Sequence, residues 1–342
     1  MSIEIVNTLP EEDWRRFIEE HPDGNIFHTP EMFQVFGHSK GHKPELWAAT
    51  QNGRILVLFL PVDVNLWNGF LRPLTTRAIS YGSVLCVPGK EGQEALGQLL
   101  HTYKCRTAGE ALFTELRNQS DLGIYQGVLE SNGFVFEDHL NYIIDLSKPI
   151  EEIWKCLHPG ARTNIRKAHK NRVDIQEVTT ADKIPDVYSV LYKVYKHIRV
   201  PLAHLSLFEA AFEILFPRGM IKFFTAQVDN ACIGTAVRLL YKDTIYDWYA
   251  GVLRDNNSYK AHDLLNWHVF DWGNHNGFCR FDFGGAGKPN QDYGPRDFKA
   301  KFGGTLVNYG RYMYVHHPGL FLVSEWGYQM SRRLNSESMI GK

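Results

Sequence analysis

The chain has 342 residues, 37 basic and 38 acidic, with 44% hydrophobic and 13% aromatic side chains. That length exceeds one compact core and suits two domains, and the apolar content marks a folded globular protein rather than a disordered one. The charge balance excludes bulk attraction to nucleic acid or anionic membrane, so any anion site has to be a local cluster.

Taken in order, the chain reads as one pattern written twice. A short strand over Ile3–Thr8 is followed by helical stretches at Pro10–Glu20 and Thr29–Phe36. A strand at Leu46–Thr50, the turn Gln51-Asn52-Gly53 and a strand at Arg54–Val64 come next, then a third strand at Ile79–Val87. An amphipathic helix (Glu91–Thr107), an apolar strand (Ala111–Arg117), a short helix and a closing strand (Asn141–Leu146) complete the first copy. The second repeats the order with strand Val173–Val178, helices Asp186–Arg199 and Ser206–Leu215, and the hairpin Phe223–Val228 and Ala231–Tyr241. It ends with strand Thr244–Val252, helix Lys260–Asn276, strand Arg280–Gly284, a short helix and a closing strand at Arg311–His316. Matching elements keep an offset near ~170 residues, as in a duplicated domain rather than a short-period solenoid.

The punctuation Ser147-Lys148-Pro149 sets the expected boundary, since proline ends strands and starts helices. The expected domains are therefore 1–147 and 148–317. Ile150–Lys170 reads as a connecting helix pair broken near Pro159-Gly160. The tail, 318–342, reads as an amphipathic helix packing back on the first domain, with frayed final residues.

The sequence MSIEIVNTLPEEDWRRF lacks the basic-then-apolar signal pattern, and no apolar run reaches the ~20 residues of a membrane span. The five cysteines form no CxxC pair, which suits reduced thiols in a cytoplasmic protein. The fifteen histidines offer no HExxH-like spacing, so no metal is expected.

Three segments could carry chemistry. Arg162, Arg166 and Lys170 follow at i, i+4 spacing and make one cationic stripe on a helix. Arginine forks suit phosphate, while a solvated face is the plainer reading. Phe281-Asp-Phe-Gly284-Gly285 ends an apolar strand in glycines that let a ligand approach the backbone. The helix after it, with Arg296 and Lys299, could stabilise a phosphate or an oxyanion, or the glycines simply turn the chain. Strict alternation in Thr244–Gly251 puts Asp247 and Tyr249 on one strand face, lining a polar cleft or making ordinary interior hydrogen bonds. Arg199, at a helix end before Val200-Pro201, reads by default as a surface cation.

As a set these segments resemble the FemA/FemB/FemX family of aminoacyl transferases. The strings that carry the resemblance are RTNIRKAHKNRVDI from Arg162, KHIRVPLAH from Lys196, YDWYAG from Tyr246, FDFGG from Phe281 and YGPRDFKAKFGG from Tyr293. The match is best over Ile150–Val315. The resemblance implies an α+β fold of two tandem GNAT-like domains, each a mixed sheet flanked by helices. It implies an acyltransferase, moving an aminoacyl group from aminoacyl-tRNA to an amine of a phosphate-bearing cell-wall precursor, as in peptidoglycan bridge formation. By the same resemblance Lys299 and Phe298 receive the aminoacyl end and act in catalysis, and Arg199 and Tyr249 contact the acceptor. Asp247, Arg162, Arg166, Gly284, Gly285 and Arg296 join them as substrate-binding candidates.

Two departures bear on this. The coiled-coil insertion of the family's staphylococcal members is missing. So is the glycine-rich pyrophosphate loop of simple GNAT acetyltransferases: the corresponding places read Arg254-Asp-Asn-Asn-Ser-Tyr-Lys-Ala and Val87-Pro-Gly-Lys-Glu-Gly. This favours aminoacyl-tRNA over acyl-CoA as donor, with no bound cofactor and a monomeric chain. A CoA-dependent N-acyltransferase of envelope or polysaccharide metabolism is the second reading, and a non-catalytic ligand-binding module the third.

Overall fold

The computed structural model describes residues 2–65, 76–107 and 110–322. The chain divides into two units, Met1–Gly37 with Gly41–Glu137 and the chain from Gly310 on, and His38–Lys40 with Asp138–Tyr309.

The first unit opens with β1 (Glu4–Val6), α1 (Glu11–Glu20) and α2 (Pro30–His38). It continues through β2 (His42–Pro44), β3 (Trp47–Gln51), β4 (Arg54–Phe59), β5 (Val62–Val64), β6 (Arg77–Ser80) and β7 (Val84–Cys86). Then come α3 (Lys90–Arg106), β8 (Phe113–Arg117), α4 (Gln126–Ser131) and β9 (Val135–Glu137). The second unit begins with β10 (Leu140–Asp145), α5 (Ile150–Cys156), α6 (Pro159–Lys170), β11 (Asp174–Glu177), α7 (Ile184–Ile198) and α8 (Leu205–Leu215). It is completed by β12 (Ile221–Val228), β13 (Ala231–Tyr241), β14 (Thr244–Val252), α9 (Ala261–His275), β15 (Arg280–Gly285), α10 (Gly294–Ala300) and β16 (Thr305–Asn308). Last is β17 (Arg311–Val315).

The second unit holds one seven-stranded sheet in the order β11-β12-β13-β14-β15-β10-β16. All neighbours are antiparallel except β14 and β15. The first unit spreads the same order over two sheets, β1-β3-β4-β7 and β2-β5-β6-β8-β17-β9. Two runs that the sequence leaves as single strands, Arg54–Val64 and Ile79–Val87, are divided between those sheets as β4/β5 and β6/β7, and β2, a strand the sequence reading did not mark, precedes β3 in the same way. Pro61 follows β4 and cannot donate to a ladder. Ser83, at φ 66°, turns the chain between β6 and β7. Joined across those breaks, the first unit matches the second position by position, including its single parallel pair, β6 with β8.

One feature departs from the expected boundaries. β10 was expected to close the first domain, yet it lies between β15 and β16 in the second unit's sheet. β17, expected to close the second, lies between β8 and β9 in the first unit's. The divisions accordingly fall at Glu137/Asp138 and Tyr309/Gly310, not at residue 147 and residue 317. Only Asp138-His139 separate β9 from β10, and a two-residue reversal needs positive φ. Neither residue has it, so the chain runs on instead of folding back.

In the first core, α3 lays Ala95, Leu96, Leu99, Leu100 and Tyr103 against Trp47, Ala49, Val57 and Phe59 of β3 and β4. The i, i+3, i+4 spacing of the helical residues makes this one face. In the second, α9 contributes Leu264, Leu265, Val269 and Phe270, which meet Ala236, Leu240, Ile245 and Phe281 of the sheet. The expected tail helix, 318–342, lies mostly outside the described residues. Its start, 318–322, is helical, and Phe321 meets the Phe113 ring edge-on at 5.6 Å.

Candidate active site

β14 and β15 pair in parallel only as far as Tyr246 with Asp282. Beyond that rung the two strands share no ladder pair, and the chemistry-bearing side chains of the second unit collect around this opening of the ladder. Lys299, one residue from the end of α10, reaches back to the tip of β15. Its Nζ donates to the carbonyls of Phe283 at 2.6 Å, Gly285 at 2.8 Å and Gly284 at 3.3 Å. Burial pulls its pKa below that of free lysine, while Asp247 and Asp282 pull it back up. Gly284, at φ 66°, allows the reversal that lines these carbonyls up, and its N–H bonds Asp282 Oδ1 at 2.8 Å. Asp282 is buried and held by Asn141 at 2.7 Å and Arg280 at 3.3 Å.

Across the opening, β14 carries a bulge. Val237 pairs with Tyr249 and Arg238 with Asp247, so Trp248 is the extra residue. The bulge shifts the alternation, because cross-strand partners share a face. Asp247 and Tyr249 therefore lie on opposite faces, and the shared polar cleft expected from strict alternation is not formed. Tyr249 joins an aromatic group on the α7–α8 side, with Phe208 at 4.9 Å, Trp248 at 5.0 Å and Tyr195 at 5.9 Å. Burial, then the nearby Asp247, pushes the Tyr195 phenol up.

On the α9 side, Asp247 Oδ1 accepts from Arg238 Nη1 at 2.5 Å. Arg238 is wholly buried, and its guanidinium also reaches Asn266 Oδ1 at 3.1 Å and the carbonyls of Val237 and Tyr249. Its Nε has no hydrogen-bond partner among the described residues. Beside it His262 stacks on Phe298 at 4.2 Å, and burial with Arg238, Lys301 and Lys299 nearby lowers the imidazole to about 3. Lys301 lies 4.0 Å over Phe298 and pairs with Asp263 at 2.7 Å. The Phe298 ring is thus already packed by protein groups.

The structure brings Lys299, Phe298, Gly284, Gly285 and Asp247 together. Arg296 is spent on the loop beneath them, donating to the carbonyls of Ala286, Pro289 and Lys288. α10 has only seven residues, so the anion-binding first turn expected there gives way to this carbonyl clamp. Arg199 caps α7 in the left-handed region at φ 57° and is exposed. The cationic stripe is partly folded onto α5: Arg162 donates to the Lys155 carbonyl at 3.3 Å and Arg166 lies 5.5 Å over the Trp154 ring. Lys170 is exposed. The residue that sequence reading missed is Arg238. A charged residue inside the apolar run AVRLL was the available signal, because a buried arginine demands an acidic partner.

Arg254–Tyr259 forms a 3₁₀ turn before α9, and Arg254 contacts His197 at 3.1 Å. No glycine row precedes that helix. Among the described residues one acidic trio, Glu45, Asp63 and Glu110, could gather round a cation. Lys43 already meets two of its members, Glu45 at 2.8 Å and Glu110 at 3.8 Å. Among the described residues no helix is long and apolar enough to cross a membrane.

Residues 160–299 match the family described as an acetyltransferase (GNAT) domain. The crystal structure of FemX superposes with a TM-score of 0.70 at 13% identity, covering 94% of this chain and 99% of that one. A tandem GNAT protein from the clavulanic acid biosynthesis pathway superposes at 0.57 and 11% identity, covering 93% and 99%. The UDP-N-acetylmuramoylpentapeptide-lysine N(6)-alanyltransferase of Weissella viridescens is 22% identical over 194 residues, 55% of this chain and 54% of that protein. The chain has a tandem GNAT-like fold. The stretch that matches the acetyltransferase (GNAT) family lies within its second unit and includes β14 and β15. The aligned stretch covers about half the length of the alanyltransferase.

Proposed function

We propose that this chain is a cytoplasmic aminoacyltransferase. It takes an aminoacyl group from aminoacyl-tRNA and places it on a primary amine of a phosphate-bearing cell-envelope precursor. The amine attacks the ester carbonyl, the C–N bond forms, the C–O bond breaks, and the ribose oxygen leaves with a proton. The observation that carries the reading is the Lys299 ammonium on the β15 carbonyls. Two short bonds anchor it, and the longest, 3.3 Å to Gly284, is the one to exchange for a developing oxyanion. A cation preplaced in a half-buried site stabilises that charge at little reorganisation cost.

The rest of the assignment rests on family likeness. Arg199 and Tyr249 anchor the acceptor, and Phe298 with Lys299 meets the aminoacyl end; Arg162 and Arg166, by their i, i+4 spacing, meet the tRNA backbone. Arg296 holds the loop that carries the glycines. The 3₁₀ turn at Arg254–Tyr259 supports an aminoacyl-tRNA donor, because it offers no row of glycine N–H groups to a CoA pyrophosphate.

Incubation with labelled aminoacyl-tRNA pools, beside labelled acetyl-CoA, with amine-bearing nucleotide-linked muropeptides as acceptors, tests the proposal. Label should pass from tRNA to the acceptor amine as an acid-stable amide. Transfer from acetyl-CoA alone would replace it with the acyl-CoA reading, and binding of acceptor without transfer from either would leave a binding module.

A further inference from the structure

The opening between β14 and β15 has a cation on one side and an anion on the other. Lys299 stands on the β15 carbonyls, and Asp247 stands at the β14 bulge. Asp247 commits one oxygen to Arg238 at 2.5 Å, and its Oδ2 takes no hydrogen bond among the described residues. Its side chain is 17% exposed, so that oxygen can be reached from solvent, whereas Arg238 behind it is at 0%. Arg238 is held in turn by Asn266 and two backbone carbonyls, which fixes the carboxylate's position. The charge of Asp247 acts on the Lys299 ammonium and raises its pKa against the effect of burial. A backbone contact agrees: a Cβ added to Gly284 would lie 3.8 Å from the Asp247 carbonyl.

This pairing suits one feature of an aminoacyl ester that a simple acyl ester lacks. Its carbonyl carbon is bonded to a carbon bearing an ammonium, so a standing positive charge lies three bonds from the oxygen that becomes negative as the carbonyl is attacked. Lys299 answers the developing negative charge. An accessible carboxylate beside it answers the positive one. The acceptor amine is a poorer partner for Asp247, because it has to be neutral to attack, and an adjacent carboxylate favours its charged form.

Resting on the aminoacyl-transfer reading, we infer that Asp247 is the specificity-determining residue for the donor. Its Oδ2 accepts from the donor's α-ammonium, and Arg238 is the positioning residue that holds it there. The chain then discriminates aminoacyl donors from acyl donors of the same size by charge, not by shape.

The test compares an aminoacyl-tRNA pool with the α-hydroxyacyl-tRNA made by deaminating the same pool, which keeps size and carrier while removing the charge. Wild type should transfer the α-amino donor with kcat/KM about 10–100-fold higher, the worth of a hydrogen bond to a charged group. That preference should fade as pH rises through the α-ammonium pKa near ~7.7. Asp247→Asn should lower kcat/KM for the α-amino donor by a similar factor more than it does for the α-hydroxy donor. An equal loss with both donors, or a wild type indifferent to the charge at every pH, overturns the inference while aminoacyl transfer stands. If Asp247→Asn does not fold, the pH profile of the wild-type ratio decides alone. Absence of transfer from either tRNA pool by wild type overturns the underlying reading, and this assignment with it.

Discussion

Asp247 and Arg238 meet at 2.5 Å across the β14 bulge, with the guanidinium wholly buried and the carboxylate partly open to solvent. The pair places a negative charge at the rim of the opening and hides its countercharge in the core. Burial lowers the Arg238 pKa and Asp247 raises it again, so each partner depends on the other. A buried ion pair seldom improves stability over an apolar substitute, yet removing one partner leaves an uncompensated charge. The arrangement is therefore better understood as positioning than as stabilisation.

Removing the carboxylate partner should be costly. Asp247→Ala leaves Arg238 with one neutral amide and backbone carbonyls, and should lower stability by about 3 kcal/mol, the low end for breaking a buried pair because Asp247 is partly solvated. The double variant Arg238→Met/Asp247→Ala should recover most of that loss. Urea titration of wild type, single and double variants checks it, and equal losses in single and double would mean the pair contributes nothing.

The exchanged strands make a prediction about fragments. A fragment of 148–317 lacks β10, which fills the slot between β15 and β16. Both neighbours would lose their ladder, and the apolar Ile144 would leave the core. A fragment of 138–309 keeps it. Circular dichroism melts should give a cooperative transition for 138–309 and none for 148–317. Cooperative folding of both would show β10 to be dispensable.

His262 makes a prediction about pH. Its folded pKa is depressed to about 3, so the unfolded chain binds the extra proton first. Stability is then full above the unfolded value of ~6.5 and declines as pH falls toward 3. His262→Gln, which cannot titrate, should flatten the melting-temperature profile between pH 6.5 and 4 relative to wild type. Parallel profiles would place the acid sensitivity elsewhere. Glu115 is a candidate: although burial raises its pKa, Arg117 and Arg311 together hold it at about 2.

Much of this fold was legible because its periodicities are simple. β13 and β14 were bounded at Ala231–Tyr241 and Thr244–Val252 from alternation and a turn alone, and the α5–α6 break was marked by Pro159. The bulge at Trp248 carries no glycine or proline, so alternation was extrapolated through it and put Asp247 on the wrong face relative to Tyr249. The exchange of β10 and β17 was invisible for a different reason. Both strands are of similar length and equivalent in the repeat, so either satisfies either slot, and the backbone of Asp138-His139, which lacks the positive φ of a two-residue reversal, decides. At the site, Lys299 is a candidate from the helix after the glycine-ended strand and takes its role from the resemblance, but its seat on three carbonyls depends on where β15 stops. Arg296 offered the same cationic chemistry in sequence and turned out to be occupied by the loop at Ala286–Pro289.

The most direct measurement of the central claim is single-turnover transfer by Lys299→Ala, taken beside donor affinity and thermal midpoint. A cation whose interaction strengthens as the carbonyl becomes an oxyanion acts on the chemical step. Transfer should slow by ~10²–10³-fold, about the effect of removing one oxyanion donor, while donor affinity changes little and the protein stays folded. A single-turnover rate equal to that of wild type would contradict the account and take Lys299 out of the mechanism. A collapsed thermal midpoint would contradict it as well, reducing the lysine to a cap on the end of β15.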